Sequence, residues 1–441
     1  MVLLFSIHLF FYIYLIKTTY ICIINLLQNI MNREIEKLIK KAKTENSVVA
    51  LFGLDETANK ALLLSCFEGC ATVSLKDEDD CFLANANPKQ FLDLYPEPVI
   101  IDSIELSAPL LKEIVSKVKN PKKKSLKKGL RFVFSITDYS ILAALSFELG
   151  PLLKTIHVPT MSYLEERGVD PFPGDDVLNA DRMAAEVLLH ENIYEARDAF
   201  FARLIRGAYS DVVIGKENAR YFYGKLSEKI AKIVLSGKKA GEKASSFKSF
   251  LYALALRTGE ALNINELANL VDADVRTVKR WIEALTANFV ISFVDPYKPE
   301  TSKRIIKTSK MYFSDTGLNA YLANYTDTKA LAMGPLRDKI VETYVFSELR
   351  KIFLNRGMDP RNFLFYYADI DRKAVEFLIN IDDTLHPVFV SSLFSKERRK
   401  EDLNALQKYG QRVGEAIRFA LIREAERHND FYDLPIYSIG L

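Results

Sequence analysis

The first segment that could do chemistry follows a short apolar run. It reads Gly53-Leu54-Asp55-Glu56-Thr57-Ala58-Asn59-Lys60-Ala61. In phosphate-binding loops, glycines let backbone N–H groups surround the phosphates, a lysine contacts the β- and γ-phosphates, and a hydroxyl group holds magnesium. Gly53 and Lys60 are therefore candidate nucleotide-binding residues, but Asn59 and Ala61 replace the second glycine and the hydroxyl residue. Because Asp55 adds negative charge where a triphosphate would lie, the segment predicts a degenerate site.

A second candidate is the acid at the end of the next apolar run, Pro98–Ile101. In that position the carboxylate of Asp102 could hold magnesium through water. Ser103 occupies the next position, where an acid would polarise the attacking water, and Glu105 is a poorly placed substitute. If Lys60 and Asp102 still act, the cofactors are ATP and magnesium. The alternative is that they are a surface lysine and a structural acid.

The middle of the chain has the pattern of a helix-turn-helix. The predicted helices are Phe247–Arg257, Ile264–Leu270 and Asp274–Leu285. The third helix places Arg276, Lys279 and Arg280 on its outer face, where basic side chains suit contacts with duplex DNA. The segments Asn288–Val294 and Lys303–Lys307 then predict a hairpin, the wing of a winged helix. Winged helices also bind proteins, so duplex DNA and a protein partner both stay open.

A basic run without any acid extends over residues 117–131 and includes Lys122, Lys123 and Lys124. Such a run is usually a solvated loop, but it can also bind polyanions. The chain has 60 Lys+Arg and 57 Asp+Glu, a formal charge of +3, so binding of nucleic acid must depend on local patches of this kind.

The elements that position these residues alternate between strand and helix. Apolar runs at Ser47–Gly53, Pro98–Asp102 and Arg131–Ser135 predict buried strands of a parallel sheet, whose ligand crevice lies at the carboxyl ends of the strands. A length of 441 residues predicts about three domains. Four cysteines without a metal-binding spacing predict reduced thiols in a cytoplasmic protein.

The first thirty residues differ from the rest. They contain apolar runs at 2–16 and 20–27, each shorter than the roughly twenty residues that a bilayer span needs. We expect translation to begin at Met31, where a charged amphipathic helix starts, and we expect no membrane association. The alternative is a single membrane anchor.

Three segments carry a resemblance to a known family. They are Asn87–Leu92 with Pro98–Asp102, Leu262–Trp281 and Lys307–Leu318. Through them the chain resembles prokaryotic AAA-type ATPases whose C-terminal half looks like a winged helix followed by a PD-(D/E)xK nuclease-like fold. The resemblance implies the fold class α/β, with a P-loop-like parallel sheet and helices, then a winged helix-turn-helix, then a PD-(D/E)xK-like α/β domain. Pro151 stands where an arginine of the family's ATPase site is expected.

The resemblance also implies metal-binding acids near the C-terminus. Glu342 matches the acid on a helix, and Glu376 stands in the strand Ala374–Ile379 where an aspartate is expected. Phe389 and Ser391 occupy the glutamate and lysine positions of the next strand, and neither can complete a magnesium site. Glu342 and Glu376 are therefore interpreted as structural or solvated acids, with no metal.

These interpretations divide the chain into five parts. They are the apolar leader 1–30, a degenerate ATPase-like domain 31–175, a helical connector 176–245, a winged helix-turn-helix 246–333 and a degenerate nuclease-like domain 334–441. The leading hypothesis is a non-catalytic module that binds DNA or a protein. The alternatives are an ATPase with residual nucleotide binding and a decaying gene.

Overall fold

The structure is a computed structural model that describes most of the chain. It covers residues 33–120, 129–169, 179–190, 194–236, 240–298, 306–390, 396–407, 412–429 and 431–439, without the side chains of 240–243 and 396–399. The apolar leader and the lysines Lys122, Lys123 and Lys124 lie outside the described residues. Within the described ranges, no helix has both the length and the apolar character needed to cross a membrane.

The N-terminal part is built on a parallel five-stranded sheet. Its strands are β1 (Val48–Phe52), β2 (Ala71–Ser74), β3 (Val99–Asp102), β4 (Phe132–Ile136) and β5 (Leu153–His157). They lie in the order β2-β3-β4-β1-β5, and each pairing is parallel. Strands β1, β3 and β4 are buried along their whole length, as expected where helices cover both faces of a sheet. This α/β arrangement is consistent with a P-loop fold.

Helices pack on both faces of this sheet. They are α1 (Glu36–Glu45), α2 (Glu56–Cys66), α3 (Glu78–Ala86), α4 (Pro88–Leu94), α5 (Ala108–Lys119), α6 (Tyr139–Leu149) and α7 (Tyr163–Glu166). Alternate residues of β1 enter different cores because successive side chains of a strand point to opposite faces. Phe52 packs with α5 and α6, whereas Leu51 packs with α1 and α2.

The rest of the chain combines helices with a second, larger sheet. The helices are α8 (Ala180–Leu189), α9 (Arg197–Arg206), α10 (Ser210–Val213), α11 (Ala219–Leu235), α12 (Ala240–Ala255), α13 (Ile264–Leu270), α14 (Val275–Ala287), α15 (Thr316–Leu322), α16 (Thr328–Met333), α17 (Arg337–Asn355) and α18 (Lys396–Gln407). The strands are β6 (Glu260–Ala261), β7 (Ile291–Pro296), β8 (Lys310–Phe313), β9 (Leu364–Ala368), β10 (Ala374–Ile381), β11 (Thr384–Val390), β12 (Arg412–Val413), β13 (Ala416–Ala420), β14 (Glu426–Arg427) and β15 (Phe431–Pro435). In this larger sheet the strands lie in the order β14-β15-β13-β11-β10-β9-β7-β8-β6, and β12 pairs with β11.

The hairpin after α14 differs from the prediction. Strand β7 pairs antiparallel with β8, which begins three residues after the predicted segment Lys303–Lys307; of that segment only Ile306 and Lys307 are described. This pairing has a physical reason, because Met311, Tyr312 and Phe313 are fully buried and anchor β8 in the core. Strand β7 also pairs in parallel with β9, so the segments on both sides of residue 334 contribute to one sheet.

Candidate functional site

The turn between β1 and α2 is the place where a phosphate loop would lie. It contains only Gly53, Leu54 and Asp55, because α2 already begins at Glu56. Lys60 is therefore the fifth residue of the helix and is partly exposed.

The carboxylate of Asp55 fills the N-terminus of α2. One oxygen accepts a hydrogen bond from the backbone N–H of Ala58 at 3.0 Å, and the other accepts from the N–H and the hydroxyl group of Ser210, both at 2.8 Å. Burial raises the pKa of Asp55, and these three donors act against that rise by stabilising the charged form. Helix N-termini attract anions, and here the group in that position is a side chain of the protein itself.

The cavity beside this turn is small. It is lined by Leu54 and Asp55 and has a volume of about 30 Å³, far below the several hundred cubic ångströms that are typical of ligand sites. Asn59 is fully buried, and its Nδ2 donates to the carbonyl oxygen of Gly53 at 2.8 Å. A Cβ atom on Gly53 would lie 2.6 Å from the carbonyl oxygen of Val158, so close backbone packing explains this glycine without a phosphate.

Asp102 ends β3 and links the strands on either side of it. Its carboxylate accepts from the hydroxyl groups of Ser74 at 2.9 Å and Ser135 at 2.6 Å, and its side chain is buried. The N–H of Ser103 donates to the same Ser135 oxygen at 2.8 Å. These contacts match the alternative in which Asp102 is a structural acid.

Glu105 reaches the same edge of the sheet. Its Oε1 accepts from the N–H of Thr137 at 3.2 Å and from the hydroxyl group of Thr137 at 2.7 Å. Its Oε2 is buried without a hydrogen-bond partner, and burial raises the pKa of this carboxyl group. The structure therefore gathers Asp102, Glu105 and Thr137 at the carboxyl ends of β3 and β4.

An ion-pair network that the sequence pattern did not reveal lies next to α2. Both Lys76 and Lys229 contact the carboxylate of Glu56. Burial by itself would raise the pKa of Glu56, but the two lysines lower it to about 2. Lys229 belongs to α11, 173 residues further along the chain, so only the tertiary structure brings it here.

In the C-terminal part, the structure brings Glu342 and Glu376 close enough to interact electrostatically. The hydroxyl group of Tyr312 donates to Oε1 of Glu342 at 2.5 Å, and Nζ of Lys310 lies 3.3 Å from the same atom. Glu376 accepts from the N–H of Val390 at 3.3 Å. Burial and the nearby Glu342 raise the pKa of Glu376 to about 7. Lys310 and Tyr312 belong to the Lys307–Leu318 segment, but its pattern did not indicate that they face these acids.

The predicted alignment of β11 with a metal site is wrong at Phe389. Val388 and Val390 lie in the core that contains α17, whereas Phe389 packs with Leu403 and Leu406 of α18 in the other core. A glutamate at position 389 would therefore lie across the sheet from the helix of Glu342. Ser391 lies outside the described residues.

A separate group of potential metal ligands was not predicted. Among the described residues, the side chains of Glu426, His428 and Asp433 lie close enough together to be considered as ligands of one metal ion. Asp433 forms an ion pair with the guanidinium group of Arg418, and His428 Nε2 lies 3.0 Å from the same carboxylate. A fixed positive charge on the most buried of the three ligands opposes binding of a cation.

Helix α14 exposes its basic residues as predicted. Arg276, Lys279 and Arg280 are exposed, while Val278 and Trp281 are fully buried. No ion pair recorded for the described residues involves the three basic side chains. Exposed acids also lie on this helix or just before it; they are Asp272, Asp274 and Glu283.

The two described ends of the basic 117–131 run are partly neutralised. Lys117 Nζ lies 3.1 Å from the carboxylate of Glu97, and Arg131 Nε lies 2.7 Å from the same carboxylate. Lys119 pairs with Glu148. The available positive charge of this run therefore depends on the lysines that lie outside the described residues.

The middle of the chain matches one family model. The family model described as "Domain of unknown function (DUF8612)" matches residues 197–329, from α9 into α16. No curated protein matches the chain.

Among solved structures, the chain is similar to P-loop AAA and Walker-type ATPases. For the Walker-type ATPase of Pyrococcus abyssi the identity is 9% and the TM-score 0.36, over 66% of this chain and 94% of that one. For a variant of RuvB from Thermotoga maritima the identity is 12% and the TM-score 0.29, and the match covers 58% of this chain and 85% of that one. For the DNA clamp loader delta protein of Bacillus subtilis the identity is 12% and the TM-score 0.22, and the match covers 57% of this chain and 87% of that one.

Proposed function

We propose that this chain is a non-hydrolysing protein with a P-loop-like scaffold and that it acts as a binding module for duplex DNA. The observation that carries the first part is the Asp55 carboxylate at the N-terminus of α2, with its three hydrogen-bond donors. A triphosphate at this turn would have to displace a buried carboxylate of its own charge sign.

The second part rests on the exposed face of α14. Arg276, Lys279 and Arg280 form a basic row on a helix whose opposite face is anchored by Trp281. Basic side chains on an exposed helix can contact phosphates and base edges in the major groove. We interpret α12, α13, α14 and the β7–β8 hairpin as a winged helix-turn-helix, with α14 as the helix that contacts DNA.

We expect Mg-ATP to leave the melting temperature of the protein almost unchanged. A ligand present at its Kd stabilises the folded state by only about 0.4 kcal/mol, whereas one at 1,000 times its Kd stabilises it by about 4 kcal/mol. A thermal-shift titration with Mg-ATP measures this difference. Saturable stabilisation by micromolar nucleotide that Lys60→Ala abolishes, and that the exposed control Lys112→Ala preserves, would establish the alternative of residual nucleotide binding.

We expect binding to duplex DNA that is weak at physiological salt and strongly salt-dependent. Each neutralised phosphate contributes about 0.9 to the slope of log K against log salt, so replacing Lys279 and Arg280 with Ser should reduce that slope by about 2. The measurement is fluorescence anisotropy of a labelled duplex over a series of salt concentrations. The control is Lys37→Ser with Lys41→Ser, which removes the same charge from an exposed face of α1.

A parallel variant with Lys122, Lys123 and Lys124 changed to Ser tests the basic run. If it reduces the slope as much but leaves sequence preference unchanged, the run is a non-specific contact and α14 reads the sequence. The proposal of DNA binding fails if the α14 variant and its charge-matched control reduce the slope of log K against log salt equally. It also fails if the unmodified protein does not bind DNA at low salt. The exposed helix would then be a surface for a protein partner.

A further inference from the structure

A large chamber lies where the parallel sheet, the end of α14 and helix α17 meet. Its volume is about 560 Å³, within the 300–1,000 Å³ typical of small-molecule sites. Strand β5 contributes Lys154 and His157, β7 contributes Phe293, and α17 contributes Phe346 and Arg350. Gly53, Lys60 and Asp102 do not belong to its lining, although His157, Phe289 and Arg350 also line the small cavity beside Asp55.

Arg350 is the unusual residue of this chamber. Its side chain is 6% exposed, its Nη2 is buried without a hydrogen-bond partner, and no ion pair recorded for the described residues involves it. Its guanidinium carbon lies 5.0 Å from the centre of the Phe289 ring. A buried charge without an ion-pair partner is costly, because its desolvation is offset only in part, here by the electrostatic attraction of Asp359. Burial lowers the pKa of Arg350 to about 10, so the group still carries its charge at neutral pH.

The acid that attracts Arg350, Asp359, is shared with a second guanidinium group. Asp359 lies in the lining, but its carboxylate is held by the guanidinium group of Arg361, with Nε at 3.1 Å and Nη2 at 2.6 Å. Asp295 accepts a hydrogen bond from the hydroxyl group of Ser309 at 2.5 Å. The exposed Lys154 adds a further positive charge at the rim.

A second unpartnered group lies next to Arg350. His157 stacks on Phe289, with ring centres 3.7 Å apart and planes inclined by 18°, and its Nδ1 is buried without a partner. Burial and the charge of Arg350 lower the pKa of His157 well below its usual value, so the ring is neutral and can donate one hydrogen bond. Phe289 adopts a left-handed backbone conformation with φ of 54°, a strain that persists only where the surroundings impose it.

We propose that this chamber binds a small organic anion whose acidic group pairs with Arg350 and whose planar apolar body lies against the aromatic walls. Arg350 supplies the charge and His157 a neutral donor. The side chains Tyr139, Phe293 and Phe346 supply apolar surface for a ring. The ligand class is an aromatic carboxylate or phosphate of a size that this volume admits. The proposal goes beyond the proposed function and does not depend on it.

The test uses the full chain and three probes, which are phenyl phosphate, inorganic phosphate and the neutral benzyl alcohol. We expect saturable stabilisation by phenyl phosphate in a thermal-shift titration, little effect of the other two, and a matching Kd from isothermal titration calorimetry. Removing a charged hydrogen-bond partner typically weakens binding by about 10- to 100-fold, so Arg350→Met should reduce the affinity by that factor. Arg350→Lys, which keeps the charge, should retain part of the affinity.

The variant without ligand gives an independent readout. Because no ion pair of the described residues involves Arg350 and only the attraction of Asp359 offsets its desolvation, Arg350→Met should melt no lower than the unmodified protein, whereas a structural arginine would lower the melting temperature when lost. Arg220→Met, at an exposed arginine outside the lining, is the matched control and should leave phenyl phosphate binding unchanged. Absence of any shift with phenyl phosphate, or equal binding by Arg350→Met, would overturn the proposal. An equal shift with inorganic phosphate would overturn the assignment to an organic anion.

Discussion

Glu165→Ala is expected to reduce the free energy of unfolding by about 3–5 kcal/mol, the range measured when one partner of a buried ion pair is removed. The pair joins Arg33 to Glu165 at 2.9 Å, and both side chains are almost fully buried, with exposed fractions of 0% and 1%. Arg33 also donates to the carbonyl oxygen of Pro159 at 2.9 Å. Without the Glu165 carboxylate, the guanidinium charge of Arg33 would stay buried and lose its ion-pair partner.

Glu165 has a second role that adds to the expected loss. Its Oε2 accepts from the N–H of Ser162 at 2.8 Å, and the Ser162 side chain accepts from the N–H of Glu165, which together form a capping box at α7. Urea unfolding followed by circular dichroism measures the change. Glu68→Ala, at an exposed position, is the control and should change the free energy by no more than about 0.5 kcal/mol. A similarly small effect of Glu165→Ala would show that the pair does not hold residues 33–34 against α7.

Glu376→Gln is expected to remove a pH dependence of stability from the C-terminal part. The pKa of Glu376 is raised to about 7 in the folded protein, from 4.5 as the ordinary value. Between these two pH values the folded state keeps a proton that the unfolded state has released, so folding stability falls as the pH rises through this window. The contribution is complete below about pH 4.5 and lost above about pH 7, and its size is about 3 kcal/mol.

The glutamine variant cannot ionise, so it should be more stable than the unmodified protein at pH 8 and similar to it at pH 5. Denaturant unfolding at both pH values measures the difference in the free energy of unfolding between the two proteins. The titration of groups that behave alike in both proteins cancels in this difference. Glu424→Gln, at an exposed glutamate, should show no such difference between the two pH values. If Glu376→Gln is equally stable relative to the unmodified protein at pH 5 and pH 8, the carboxyl group does not carry its proton into the neutral range.

Local pattern was sufficient to predict several elements of the fold. The apolar runs that predict β1, β3 and β4 form buried parallel strands, and the segment Ile264–Leu270 forms the helix with the predicted bounds. Periodicity also placed the basic residues of α14 outward and Trp281 inward. These predictions succeed because burial of apolar side chains follows from the period of the backbone itself.

The partners of polar side chains could not be predicted in this way. Asp55 was interpreted as a charge that repels phosphate, and the structure shows that it binds Ser210, 155 residues away. Phe389 was aligned with a metal ligand because the strand was identified correctly but not the face on which each residue lies. A shift of one residue moves a side chain to the other side of a sheet, and the core around α18 decides that side.

The sequence by itself therefore determined the α/β character of the N-terminal part, the helix pattern around α14 and the loss of the residues that bind a nucleotide in a phosphate loop. Only the tertiary structure decided that Asp55 fills the turn after β1, that Lys310 and Tyr312 face Glu342, and that Arg350 lies in a chamber with its Nη2 buried and without a hydrogen-bond partner. The reason is physical. Apolar burial depends on local periodicity, whereas hydrogen bonds and ion pairs depend on distances between residues that are far apart in the chain.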